Sequence, residues 1–146
     1  MVNVGIVISQ FNEEISSNLL KGAKKTYKDY YDGEVCMSIV KVPGAFEIPS
    51  TVKQLLESDS IHNLDAIVTL GCVIKGGTAH FEYISSSVTN SISKLSIESH
   101  IPIIYGILTT YDYEQALERS DPSGKDKGGE VMQSAIDTYK TWKKIL

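Results

Sequence analysis

Leu64 to Ile74 (LDAIVTLGCVI) is an eleven-residue run with a single charged residue and no proline. Its β-branched, apolar composition suits a strand covered on both faces, as strands are in a parallel sheet. The run ends in Lys75-Gly76-Gly77, and a helix-spaced apolar stripe then follows at Ile84, Val88, Ile92 and Leu95. A strand that stops at a glycine turn and opens a helix presents free backbone N–H groups to whatever lies in front of it. Thr78 and His80 stand in that turn, and histidine is the side chain suited to both taking and giving a proton at physiological pH. One turn can therefore combine an anion grip with proton transfer.

The same alternation repeats along the chain. Val2 to Ile8 reads as a buried strand. Asn12 reads as a helix N-cap, with Glu13 and Glu14 favourable to the helix dipole. Ile15, Leu19, Ala23 and Tyr27 give that helix its apolar stripe. Phe11, at the strand's end, is either a hydrophobic staple or a stacking platform for a flat ligand.

Asp32-Gly33 reads as a turn, and Glu34 to Val42 as the second strand. Pro49 is tolerable only in a first turn, so the next helix must open near Phe46. Glu47 is then a first-turn acid, or a carboxylate that binds hydroxyls at the mouth of the sheet. Ile101 to Leu108 is the fourth strand, with Thr109-Thr110 read as the cap of a short helix over Tyr111 to Arg119. Ser120 to Gly129 (SDPSGKDKGG) is the most loop-like segment. A last helix runs from Glu130, with Val131, Ala135, Ile136, Tyr139 and Trp142 on one side. Tyr111 and Tyr113 read as packing or interface residues.

Four strands alternating with helices predict an α/β fold, a four-stranded parallel sheet with helices on both faces and right-handed crossovers. No repeat or linker divides residues 1–146, which predicts one domain. In such sheets ligands bind beyond the strands' carboxyl ends, at a switch in strand order. Phe11, Phe46-Glu47 and Gly76 to His80 fall there, after strands one, two and three. The net charge of -4 gives no support for nucleic acid or an anionic membrane as partner. No apolar run approaches a membrane span, and the N-terminus lacks the pattern of a signal peptide. Cys36 and Cys72, both inside apolar runs, read as reduced thiols of a cytoplasmic protein. Neither CxxC nor metal-ligand histidine spacing occurs, so no metal is expected.

Several segments together carry a resemblance: SQFN (Ser9 to Asn12), VPGAFEIP (Val42 to Pro49), GCVIKGGTAHFEY (Gly71 to Tyr83), YGILTTYDYEQALER (Tyr105 to Arg119) and Lys127-Gly128. In order and approximate spacing the chain resembles the 6,7-dimethyl-8-ribityllumazine synthases of riboflavin biosynthesis. It departs from many members at Gln10, where they carry arginine, and at Tyr105, where they carry phenylalanine. It also has few residues before the first strand.

The resemblance implies a flavodoxin-like three-layer sandwich and a cytoplasmic transferase without cofactor or metal. The implied reaction condenses 5-amino-6-(D-ribitylamino)uracil with 3,4-dihydroxy-2-butanone 4-phosphate. It implies that Phe11 stacks on the pyrimidinedione and that the backbone at Val73-Ile74 binds its polar edge. Ala45, Phe46 and Glu47 would hold the ribityl chain. Gly77 and Thr78 would grip the phosphate with Arg119 of a neighbouring subunit, which also supplies Tyr105 and Lys127, and His80 would be the general acid/base. Sites shared in this way imply a pentamer, and the compact stretch from Arg119 to Lys127 favours an icosahedral shell of twelve pentamers over free ones. Three alternatives compete: a riboflavin synthase of the same fold, a flavodoxin-like module that binds a phosphorylated ligand without turnover, and a Schiff-base enzyme using Lys75 or Lys127.

Overall fold

The chain, in a computed structural model that describes residues 1–145, forms a four-stranded parallel sheet in the order β2-β1-β3-β4. The strands are β1 (Val4–Ser9), β2 (Met37–Val42), β3 (Ala66–Ile74) and β4 (Ile103–Thr110). The helices are α1 (Glu13–Tyr30), α2 (Glu47–Glu57), α3 (His80–Glu98), α4 (Tyr113–Ser120) and α5 (Lys127–Ile145), with a short 3-10 turn at Asp59–Asn63. None of the described helices is long and apolar enough to cross a membrane.

The two-residue period of the strands builds the layers. Val4, Ile6 and Ile8 of β1, with Ala66, Val68, Leu70 and Cys72 of β3, face α1, α4 and α5. Val7, Ile67, Val73, Ile103 and Ile107 face α2 and α3. The apolar stripe of α1 (Ile15, Leu19, Ala23, Tyr27) is fully buried, as its spacing predicts. By contrast α3 fully buries only Val88 and Ile92 in nineteen residues and leaves Tyr83 and Ile97 exposed.

Four local expectations need correcting. Asn12 does occupy the N-cap of α1, but in left-handed backbone (φ 62°) and without a side-chain cap bond. An asparagine tolerates that conformation where most residues do not. β2 starts at Met37, because residues 34–36 are used to climb from the Gly33 turn to the pairing of Val4 with Met37. Thr109 and Thr110 are strand residues paired with Val73 and Ile74; the cap of α4 is Asp112, whose carboxylate accepts from the Gln115 N–H at 2.8 Å.

The fourth concerns α5, which starts at Lys127 rather than Glu130. The Asp126 carboxylate accepts from the Gly129 N–H at 3.2 Å and so opens the helix three residues early. Gly128 is buried where α5 crosses α1, and a Cβ there would overlap the Leu19 carbonyl oxygen. The two glycines mark close helix packing, not a loop.

Two buried groups predict an alkaline limit to stability. Burial pushes the Cys72 thiol from an ordinary 9.0 up to about 12. Burial likewise pushes the Tyr27 phenol from 10.0 up to about 12, and its hydroxyl donates to the Val2 carbonyl at 2.7 Å. Below pH 9 both are protonated whether the chain is folded or not, and their stabilisation is complete. Above that the unfolded chain ionises first, so stability falls as pH rises towards about 12. Thermal melts between pH 8 and 12 should show a falling Tm, shallower in Cys72→Ala; a flat Tm would contradict the assignment.

Candidate active site

The carboxyl ends of β1 and β3 adjoin at the switch in strand order, since β1 continues to β2 on one side while β3 continues to β4 on the other. The loops there are tied to one another. The Gln10 and Phe11 N–H groups donate to the carbonyls of Val42 and Pro43 at 2.8 and 3.0 Å, and the Lys75 N–H donates to Thr110 at 2.9 Å. The β1–α1 turn is thus fixed to the β2–α2 turn, which brings Phe11 and Phe46 to one rim. Both rings are largely exposed, at 71% and 58%.

Behind that rim is a cavity of about 700 Å³ lined by Phe11, Asn12, Gly44, Ala45, Phe46, Glu47, Cys72, Val73, Ile74, His80, Ile84 and Tyr113. Its volume suits a small-molecule ligand. Glu47 Oε1 accepts from the Gly44 N–H at 3.0 Å, which orients the carboxylate at the cavity wall. His80 is the first residue of α3 and is exposed; its N–H donates to Thr78 Oγ1 at 3.3 Å. Ala79, at the N-cap of α3, has no polar side chain to cap it, and Thr78 engages only the His80 N–H, so the Phe81 N–H and those of the glycine turn remain open to a ligand.

A second cavity, of about 370 Å³, is lined by Tyr105, Ile107, Leu108, Thr109, Arg119, Lys125, Lys127 and Glu130. It lies along β4, which pairs only with β3 and so forms an edge of the sheet. The Tyr105 hydroxyl is 2.9 Å from Thr89 Oγ1 on α3, and burial raises its phenol above the ordinary value. The hydroxyl that departs from the common phenylalanine therefore has its own polar partner. Lys127 pairs with Glu130 at 3.0 Å.

The anticipated residues thus fall into three groups. Phe11, Ala45, Phe46, Glu47, Val73, Ile74 and His80 meet in the larger cavity. Tyr105, Arg119 and Lys127 meet in the smaller one, and no residue lines both. Gly77 and Thr78 line neither; they sit exposed in the loop before α3.

Sequence reasoning assigned no ligand role to Tyr113, which lines the larger cavity with its hydroxyl donating to Glu14 Oε2 at 2.6 Å. That hydrogen bond raises its phenol above the ordinary range. The signal available was position: Tyr113 follows the fourth strand, the one carboxyl end left without a ligand candidate of its own.

A doubly wound parallel sheet with an apolar cleft, a histidine and an open helix start at its switch point defines an α/β enzyme acting on small molecules. The family model described as 6,7-dimethyl-8-ribityllumazine synthase matches residues 1–143, and the chain belongs to that family. It is a transferase of riboflavin biosynthesis that condenses 5-amino-6-(D-ribitylamino)uracil with 3,4-dihydroxy-2-butanone 4-phosphate to give 6,7-dimethyl-8-ribityllumazine, phosphate and water.

Proposed function

We propose that each active centre is shared by two neighbouring subunits, the larger cavity of one meeting the Tyr105–Arg119–Lys127 cavity of the next. The observation that carries this reading is the partition just described: the cation expected to hold phosphate lines a cavity on the sheet edge, apart from the cavity that holds His80. Phe11 then stacks on the pyrimidinedione, and the backbone of Val73 and Ile74 binds its polar edge. Ala45, Phe46 and Glu47 hold the ribityl chain, with Glu47 accepting from hydroxyls. Gly77, Thr78 and the neighbour's Arg119 grip the phosphate, a combination of helix start and guanidinium that fits an oxyanion well. Tyr105 and Lys127 complete the neighbour's wall.

In this arrangement the substrate's own 5-amino group attacks the ketone carbonyl, and water leaves as the imine forms. Phosphate is then eliminated, the ring closes and a second water departs. His80 moves the protons in both directions. Lys127 is paired with Glu130 and Lys75 stands 5.8 Å from the centre of the Tyr111 ring, outside both cavities, which speaks for the substrate amine over a lysine as nucleophile.

Positioning dominates the catalysis. Holding two substrates together contributes about 7–11 kcal/mol, whereas one general acid/base contributes about 10²–10⁴ in rate. His80→Ala is therefore expected to lose turnover without losing all of it. The check is a mixture of the two substrates followed by lumazine absorbance and fluorescence, with phosphate release in parallel. A correctly assembled His80→Ala variant with no activity at all would refute the ranking.

The poorly buried α3, with Tyr83 and Ile97 exposed, and the free edge cavity support self-association of the whole chain, residues 1–146 acting as one domain, into a pentamer. The link between α4 and α5 is short and internally bonded (Lys125 N–H to Glu118, Asp126 N–H to Asp121), which supports a shell of twelve pentamers. Light scattering that showed only a five-subunit particle would overturn the shell. The free thiols of Cys36 and Cys72 support a cytoplasmic setting.

A further inference from the structure

We infer that the Tyr113–Glu14 pair positions Arg119, so that one short helix serves the site of its own subunit and the phosphate grip of its neighbour's. The inference rests on the shared-site reading above and extends it to a residue pair outside that reading.

α4 has eight residues, too few to hold a pose without tertiary ties. Its ties run to α1. The Tyr113 hydroxyl donates to Glu14 Oε2 at 2.6 Å, and Asn18 Nδ2 donates to Ser120 Oγ at 3.5 Å. Glu14 and Asn18 are four apart on α1 and share a face; Tyr113 and Ser120 are seven apart on α4 and also share one. Ala116, between them in sequence, is fully buried. The helix is thus strapped at both ends, and the shorter, charge-assisted strap is the one at Tyr113.

Arg119 stands beside Ser120 at the far end of the strap. Its side chain is exposed and makes no hydrogen bond or ion pair among the described residues. Its placement therefore follows from the pose of α4. Tyr113 meanwhile lines the larger cavity with Phe11 and Asn12. One residue so touches its own subunit's cavity and, through the pose of α4, bears on the neighbour's phosphate grip.

The test uses the assembled enzyme. Tyr113→Phe keeps the ring and removes the strap. It is expected to raise the KM for the phosphorylated four-carbon substrate about five-fold and the KM for the pyrimidinedione less than about two-fold. Glu14→Ala should do the same, and Glu14→Gln, whose amide oxygen still accepts from the hydroxyl, should recover most of the loss. Both KM values rising together with a lower Tm would mean general loosening and overturn the inference, as would an unchanged KM for the phosphorylated substrate. Arg119→Ala, run in parallel, separates the failures. If it leaves that KM unchanged, the phosphate reading falls and the inference with it; if it raises that KM while Tyr113→Phe does not, the positioning role alone falls.

Discussion

His80→Ala and Arg119→Ala subunits, unfolded together and reassembled, are expected to regain activity well above the residual level of either variant alone. The two side chains line different cavities of the same chain. If each site joins cavities of two neighbours in a closed ring, as proposed, a site is intact when an Arg119→Ala subunit supplies the His80 half and a His80→Ala subunit supplies the Arg119 half. Random assembly from equal amounts makes about a quarter of the sites intact, because heterologous contacts pair each subunit with an independent neighbour. The parents should be far below this. Losing the general acid/base costs about 10²–10⁴ in rate. Losing a bidentate, charge-assisted partner to a departing phosphate removes binding and charge stabilisation together. Arg119→Ala should therefore show its largest defect with the phosphorylated substrate. Recovery near a quarter of wild-type turnover would be read directly from lumazine fluorescence. Activity that never exceeds the average of the two parents would show that the two residues do not complete one site across a boundary.

Gly128→Ala is expected to destabilise the protein, against the usual rule for helices. Within a helix alanine is favoured over glycine by about 1 kcal/mol. At Gly128 the added methyl would overlap the Leu19 carbonyl oxygen and come within 3 Å of the Leu19 Cα. These are backbone atoms of the facing helix, so no rotamer change relieves the overlap. α1 and α5 must separate, and overpacking of this kind costs about 1–3 kcal/mol or more. An overlap with backbone lies at the upper end of that range, so the steric term wins by about 1–2 kcal/mol and Tm should fall by roughly 3–8 °C. Gly76→Ala is the matched control, because a Cβ there meets nothing within 4 Å. Equal melting temperatures for Gly128→Ala and wild type would mean that the two helices do not pack as described.

The parts of this molecule that were legible from sequence are those set by periodicity. The four-residue stripe of α1 and the unbroken apolar run of β3 each admit one burial pattern, and together they fix the layers. The meeting of Phe11, Glu47 and His80 in one cavity was legible because each is unusual for its place and they fall at corresponding strand ends. Contacts between segments distant in sequence were not legible. Gly128-Gly129 reads locally as a helix breaker, and only the approach of α1 shows why glycine is needed there. Asn12 has an N-cap's identity, but its left-handed backbone is set by the ties of Gln10 and Phe11 to the next loop. Tyr113 resembles any packing tyrosine until Glu14, 99 residues away, is found beneath its hydroxyl.

Two cavities on one chain, each completed by a different neighbour as proposed above, would also bear on inheritance. A subunit damaged in both cavities spoils two sites in the ring and repairs none. In a cell that makes intact and doubly damaged copies in equal amounts, about three quarters of the sites would be broken, because a site survives only when both contributors are sound. Damage to one cavity alone would spare half. Alleles of this gene should therefore differ in dominance according to how many cavities they touch, and two recessive alleles that break opposite cavities should partly complement each other.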